Sequence, residues 1–243
     1  MHNLTESGYS DGNAKWVLGG KAMVWFSDRA GYRSHGSWGA QYDAYIMFFD
    51  VDAYDRFRMN KEDLALLEEA EKAEKAEKEK AEKKKKEDKK GDKKKDAKGK
   101  KDGEAEKKEE VKPLKFDLDN RFDRIVRLTV NSSFMGDAVL TPKGDKLYYL
   151  AAFESGYDLW EHDLKENSTK ILLKGVGGGS LLPDKKGENI FMCTGGGMKK
   201  IEIAGSKTTP IAFESFFDYQ PGGERAYIFD HVWQQVDDKF YVK

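Results

Sequence analysis

The sequence predicts an all-β fold, and three observations lead to that prediction. All 30 aromatic residues lie outside one charged block, and Tyr and Phe dominate the apolar segments, as is typical of strands. Short apolar segments are separated by turns rich in Pro and Gly. The resulting pattern of four short strands recurs at a period near 40 residues. That period is typical of a propeller blade, so we expect a partial β-propeller of about three four-stranded blades.

Two copies of the blade pattern follow one another, about 41 residues apart, at residues 138–152 and 180–194. In each copy a short apolar strand leads into a turn, Pro142–Gly144 or Pro183–Gly187, and a second strand follows. The third strands are predicted at Asp158–Leu164 and Met198–Ile203, and the fourth at Thr169–Leu173 and Thr208–Phe213.

An earlier copy of the pattern is stretched. Its first three strands are predicted at Ala14–Val17, Lys21–Ser27 and Tyr42–Asp50, with a turn at Gly19–Gly20. A Gly-rich loop, Asp28–Gln41, separates the second strand from the third and is longer than its counterparts. The fourth strand is predicted at Arg124–Thr129, on the far side of the charged block, so the block is an insertion within one blade.

The insertion contains 34 Asp, Glu or Lys side chains in the 43 positions from 68 to 110. Such a segment buries almost no apolar surface. Asn60 can cap a helix whose apolar edge carries Leu64 and Leu67, and beyond Lys83 the composition predicts disorder. Two interpretations remain open: a surface insertion that the blade tolerates, or an electrostatic arm for a partner.

Near the end of the chain the spacing of apolar residues changes from that of strands to that of a helix. Ile228, Val232, Val236 and Phe240 recur every four residues, which predicts an amphipathic helix from Glu224 onward. The predicted organisation is therefore a blade's first three strands in 1–59, the charged insertion in 60–111, further blades in 112–222 and the start of a helical domain in 223–243. Three blades do not close a propeller, so we expect either self-assembly or a longer polypeptide.

Composition excludes several classes of function. Lys and Arg number 43 against 44 Asp and Glu, and the insertion itself carries a net charge of only +2, so we expect no nucleic-acid partner. No apolar run approaches the roughly 20 residues that span a bilayer, so we expect no membrane partner. Residues 1–13 are polar and lack the apolar core of a signal peptide, which favours a cytoplasmic location. A periplasmic location would require a signal peptide upstream of residue 1.

The residues that could carry chemistry are scattered. Four histidines occur singly, without a second ligand at metal-binding spacing, and the single Cys193 excludes an internal disulfide. Ser34–His35 lacks the geometry of a catalytic triad, since adjacent side chains rarely face one another. The glycine clusters 177–179 and 195–197 lie between strands, where turns explain them better than a phosphate site does. We therefore expect no catalytic residue, no metal and no cofactor.

The long loop carries the one candidate binding site. Arg29, Arg33 and Trp38 lie within it, and propeller loops on one face commonly hold the ligand. A guanidinium next to an aromatic ring suits a peptide carboxylate. These three residues are predicted to contact a peptide, while Asp28 is predicted to close a turn together with Arg29.

Four segments resemble a known family. Phe26-Ser-Asp-Arg-Ala-Gly31 and Tyr42-Asp-Ala-Tyr-Ile-Met-Phe48 resemble the repeats of TolB-type and Tricorn-type propellers. Residues 112–129, which follow the insertion, look more specifically like Tricorn protease homologues. Residues 224–241 are similar to the first helix of the helical domain after that family's propellers. The resemblance covers nearly the whole chain except the charged block.

The resemblance implies a non-catalytic part of a serine peptidase of the S41 class that degrades oligopeptides. Its partners would be oligopeptide substrates, the remaining propeller blades and peptidase domains, and further copies in a homo-oligomer. The propeller would provide the routes by which substrates enter and products leave, and the catalytic residues would lie downstream of this chain. Two alternatives stay open: a TolB-like module that binds a protein or peptide, and the propeller of a prolyl-oligopeptidase-type enzyme.

Overall fold

The structure, a computed structural model, describes residues 3–35, 38–88, 113–114, 116–184 and 186–241. Within these residues the chain forms three four-stranded antiparallel sheets. The first contains β1 (Asp11–Val17), β2 (Ala22–Ser27), β3 (Asp43–Phe48) and β4 (Ile125–Arg127). The second contains β5 (Phe134–Leu140), β6 (Lys146–Ala152), β7 (Asp158–Asp163) and β8 (Ser168–Leu173). The third contains β9 (Gly179–Pro183), β10 (Asn189–Thr194), β11 (Gly197–Glu202) and β12 (Lys207–Ile211).

The strands of each sheet are hydrogen-bonded in chain order, so each sheet is a meander of the kind that builds a propeller blade. The prediction of about three four-stranded blades is confirmed. The predicted displacement of one strand is also correct: β4 pairs with β3 in the register Tyr45↔Arg127, although more than 75 residues separate the two strands.

A hydrophobic core lies between the first and second sheets. Alternate residues of β2 and β3 point towards the second sheet and are buried there, among them Val24, Ile46 and Phe48. Leu147 and Tyr149 of β6 approach them from the other side. The same arrangement recurs between the second and third sheets, where the cluster includes Tyr148, Leu150, Leu159, Leu181, Ile190, Met192 and Ile201.

Two helices lie between β3 and β4. The helix α1 (Val51–Arg58) begins at Asp50, whose Oδ1 accepts a hydrogen bond from the Ala53 amide at 2.7 Å. The sequence analysis assigned this segment to the blade and did not predict α1. The next helix, α2 (Lys61–Asp88), begins with the predicted cap, because Asn60 Oδ1 accepts from the Asp63 amide at 2.8 Å.

The helix α2 continues to Asp88, five residues past the point at which the sequence predicted disorder. The remainder of that prediction, residues 89–112, lies outside the described residues. The junction of α1 and α2 is held to the second blade. Lys165 Nζ donates to the carbonyl oxygens of Phe57 and Met59 at 2.6 and 2.8 Å, and Lys61 forms an ion pair with Glu166.

Residues 211–243 form a second compact unit, separate from residues 1–210. It contains the predicted C-terminal helix, α3 (Pro221–Lys239), which begins three residues before Glu224 because Pro221 occupies its first turn. The apolar side chains of α3 are largely exposed, including Ile228, Val232 and Trp233. Within the described part of the chain, no helix is long and apolar enough to cross a membrane.

Candidate functional site

The long loop between β2 and β3 folds back on itself as a short hairpin. Arg33 and Ala40 form an antiparallel bridge, and the Gln41 amide donates to the Tyr32 carbonyl at 2.8 Å. Gly31 makes this turn feasible, since a Cβ atom there would lie 1.9 Å from the Gln41 carbonyl oxygen. The loop therefore stands at the end of the first sheet; its residues 36–37 lie outside the described residues.

Arg29 lies inside a cage of aromatic rings. Its Cζ atom is 5.5 Å from the ring centres of Tyr9 and Trp25 and 4.9 Å from that of Tyr45. The guanidinium also forms an ion pair with Asp11, with Nη2 to Oδ1 at 3.3 Å. Within the fold, Asp11 therefore balances the charge of Arg29, and aromatic rings cover the faces of its guanidinium. These contacts favour a role in positioning the long loop rather than direct contact with a ligand.

Asp11 is the anionic centre of this cage. Burial alone would raise its pKa, but hydrogen bonds from Ser27, Ser7, Thr5 and Trp25 outweigh burial and lower the pKa to about 2. The carboxylate therefore stays charged at any pH near neutrality. It fixes Arg29 in the cage and, through Arg29, the start of the long loop.

Arg33 is the more accessible of the two loop arginines. Its Nη2 donates to Asp28 Oδ1 at 2.9 Å, and its Cζ atom lies 4.6 Å from the centre of the Tyr9 ring. Asp28 also accepts from the Ser10 amide, so the prediction that Asp28 closes a turn with Arg29 is wrong: its partner is Arg33. The Arg33 side chain is still 44% exposed, so part of it remains accessible to solvent.

The aromatic residues of the loop point outward. Trp38 is 82% exposed and Tyr32 is 71% exposed. A pocket of about 300 Å³ opens nearby, between β1 and the start of β5. Its lining residues are Ser10, Asp11, Gly12, Asn13, Phe26, Tyr42 and Met135. The structure thus places two of the three predicted residues, Arg33 and Trp38, where a ligand could reach them, and it encloses the third, Arg29.

The structure also shows the surroundings of the other candidates from the sequence. Ser34 Oγ donates to the carbonyl oxygen of His35 rather than to its imidazole. His162 is buried and its Nδ1 lies 2.7 Å from Thr169 Oγ1, as in a satisfied core histidine. No group of three or more His, Cys, Asp or Glu side chains within the described ranges could hold a metal ion.

A carboxylate that sequence reasoning did not select, Asp137, joins the three blades. Asp137 lies in a bulge of β5, and its Oδ1 accepts from Lys15 Nζ of β1 at 2.5 Å and from Asn13 Nδ2 at 3.1 Å. Its Oδ2 accepts from the Leu181 amide of β9 at 2.8 Å. The strands β1, β5 and β9 come first in their blades, the position that lines a propeller's central channel. The sequence did not reveal this role of Asp137, because its partners on the other blades lie 44 to 124 residues away along the chain.

Comparisons with known proteins support the architecture. No protein-family model matches the sequence, and no curated protein matches it either. Among solved structures, a crystal structure of the tricorn protease matches with a TM-score of 0.56 and 8% identity, over 98% of this chain and 20% of that chain. TolB from Acinetobacter baumannii matches with a TM-score of 0.43 and 8% identity, over 88% of this chain and 35% of that chain. This chain spans about a fifth of the tricorn protease chain, and the likeness shows the fold: a segment of β-propeller similar to part of that protein.

Proposed function

We propose that the chain is a non-catalytic propeller segment of a Tricorn-like serine peptidase, and that it guides oligopeptides towards a catalytic domain carried elsewhere. The observation that supports this proposal most strongly is the match to the tricorn protease across 98% of the chain, which includes blades and C-terminal helix together. The resemblance of residues 112–129 and 224–241 to that family, seen in the sequence, points the same way.

The long loop is the element that contacts peptide in this proposal. Arg33 supplies a partly exposed guanidinium, and Trp38 supplies an exposed indole. A guanidinium suits the terminal carboxylate of an oligopeptide, and an indole suits its side chains. Arg29 positions the loop from inside its aromatic cage. Within the described part of the loop, Ser34 Oγ donates to the His35 carbonyl oxygen rather than to its imidazole, and the proposal assigns the loop to peptide binding.

Binding to the purified 243-residue chain tests the loop directly. Fluorescein-labelled oligopeptides with free carboxyl termini would be titrated with the chain and followed by anisotropy. We expect Arg33→Ala to weaken binding roughly tenfold or more, because a hydrogen bond to a charged group contributes about 1.5–3 kcal/mol. Trp38→Ala should weaken it too. Trp233→Ala, which removes an exposed indole from α3, is the matched control and should bind normally.

Two results would count against the proposal. If amidated peptides bind as tightly as peptides with free carboxyl termini, the chain does not recognise the terminal carboxylate. If both loop variants bind with unchanged affinity, the long loop is not the binding site. The peptidase part is tested separately, by the gene sequence downstream of the codon for Lys243. If no serine-peptidase domain is encoded there but the chain binds peptide through the loop, a TolB-like binding module becomes the better description.

A further inference from the structure

The third sheet has a face that points away from the second sheet. Ile190 and Met192 of β10 are buried against the second sheet, so the alternate residues of the same strand point the other way. We call this surface the end face. It comprises Ser180 and Leu182 of β9, Phe191 and Cys193 of β10, and Met198, Lys200 and Glu202 of β11.

The end face is apolar at its centre. Phe191 lies opposite Leu182 on one side, and Cys193 lies opposite Met198 on the other. Leu182 is 55% exposed, and the other three side chains are only partly buried. None of these four side chains belongs to a hydrophobic cluster that the described residues form. The equivalent faces within the molecule are buried against a neighbouring blade.

The opposite end of the stack is covered by the chain itself. The outward-facing Trp25, Tyr45, Met47 and Phe49 form a cluster that packs against Leu4 and Leu118. Each of the four is no more than 6% exposed. We call the covering segments, residues 3–9 and 116–122, the straps.

Arg121 ties the two straps together. Its Nε donates to the Leu4 carbonyl at 2.8 Å, and its Nη2 forms an ion pair with Glu6 at 2.6 Å. The first sheet therefore has no open face for another blade.

We propose that the end face is a self-association surface, which binds the end face of a second copy of this chain across a two-fold axis. A head-to-tail contact would need the face that the straps occupy, and such contacts continue into filaments unless they close into rings. Two end faces can meet without disturbing the straps. The contact would extend the blade-on-blade packing already seen twice within the chain.

The charges of the end face fit this arrangement. Lys200 Nζ and Glu202 Oε1 lie 3.7 Å apart at the edge of the apolar centre. When two β11 strands face one another in antiparallel directions, Lys200 of each copy meets Glu202 of the other. A single sheet face is at the small end of specific interfaces, so we expect a reversible dimer.

Sedimentation velocity across a concentration series tests the association. The chain of 27.7 kDa should sediment increasingly as a dimer as its concentration rises. Phe191→Asp should abolish the dimer by placing a charge in each half of the contact. Leu182→Lys provides a second variant at an exposed position, in case Phe191→Asp fails to fold. Phe229→Asp in α3 is the control and should leave the dimer intact.

Cross-linking through Cys193 tests whether the end faces are the surfaces in contact. Cys193 is the only cysteine in the chain, so a bis-maleimide of roughly 10 Å, the spacing of packed sheets, joins two copies efficiently when their end faces meet. We expect a covalent dimer from the native chain and none from Phe191→Asp. A chain that stays monomeric would overturn the proposal and leave a blade of a longer polypeptide as the occupant. A dimer lost in Phe229→Asp but kept in Phe191→Asp would assign the association to α3 instead.

Discussion

Replacement of Asp137 should loosen all three blades at once. The carboxylate accepts hydrogen bonds from Lys15 of the first blade and from the Leu181 amide of the third, while it belongs to the second. Its side chain is only 7% exposed, so water cannot easily take its place. Asp137→Ala removes these bonds without introducing a bulkier group.

The cost can be estimated from the Leu181 amide and the Lys15 ion pair, and the bond from the Asn13 amide can only add to it. The Leu181 amide would be left buried without an acceptor, at about 1–3 kcal/mol. The Lys15 side chain is 32% exposed, so its lost ion pair should cost only about 1 kcal/mol. The sum is about 2–4 kcal/mol in the free energy of unfolding. Asp137→Asn keeps an acceptor oxygen and should cost about half as much.

Urea denaturation followed by tryptophan fluorescence measures this difference. Asp158→Ala is the matched control, because Asp158 accepts one backbone hydrogen bond, from the Gly175 amide at 2.7 Å, within its own blade and at the surface. The control should cost about 1 kcal/mol or less. If Asp137→Ala is no more destabilising than Asp158→Ala, Asp137 does not couple the blades and the reasoning fails.

Four further variants probe other parts of the structure. Arg29→Ala should lower the free energy of unfolding by about 2 kcal/mol or more in thermal melts, whereas the more exposed Arg33→Ala should cost less than about 1 kcal/mol; equal effects would refute the cage. Burial lowers the pKa of His162, so the folded state should lose stability as pH falls below 6.5, and His162→Asn should flatten that loss in melts across pH. Burial would raise the pKa of Glu161, but hydrogen bonds from Tyr148, Lys170, Ser206 and Lys146 lower it, so Glu161 is a charged acceptor in the fold. Because Ser206 of the third blade donates to Glu161 of the second, Glu161→Gln should increase amide hydrogen exchange where these two blades meet. Unchanged amide exchange there would argue against a stabilising Ser206–Glu161 contact.

Much of the fold was predictable because its signals are local. The short apolar segments between turns rich in Pro and Gly predicted eleven of the twelve described strands to within a few residues, and the strand β5 was predicted in its second half. The Asn60 cap and the four-residue spacing of Ile228, Val232 and Val236 predicted the two long helices. The short helix α1 was missed because eight residues give too little periodicity, and its stability comes from contacts such as Phe48 with Phe57.

The candidate site was only partly predictable. The sequence selected the long loop and its residues Arg29, Arg33 and Trp38 from composition alone. It could not show that Arg29 is enclosed, because Tyr9, Trp25 and Tyr45 come from three separate segments that meet only in the folded chain. For the same reason it paired Asp28 with its neighbour Arg29 rather than with Arg33.

The sequence by itself therefore determined the blades, their turns and the insertion, since each shows as a pattern of residue types along the chain: short apolar strands between turns, a repeat of about 40 residues, and one charged block. Only the tertiary structure decided which side chains join the blades and which surfaces stay open. Asp137 reaches partners on two other blades, and the straps bring residues 4 and 118 onto the same sheet face. Such contacts depend on how the sheets stack. They join residues far apart in the chain, and no local pattern of residue types predicts which of those residues meet.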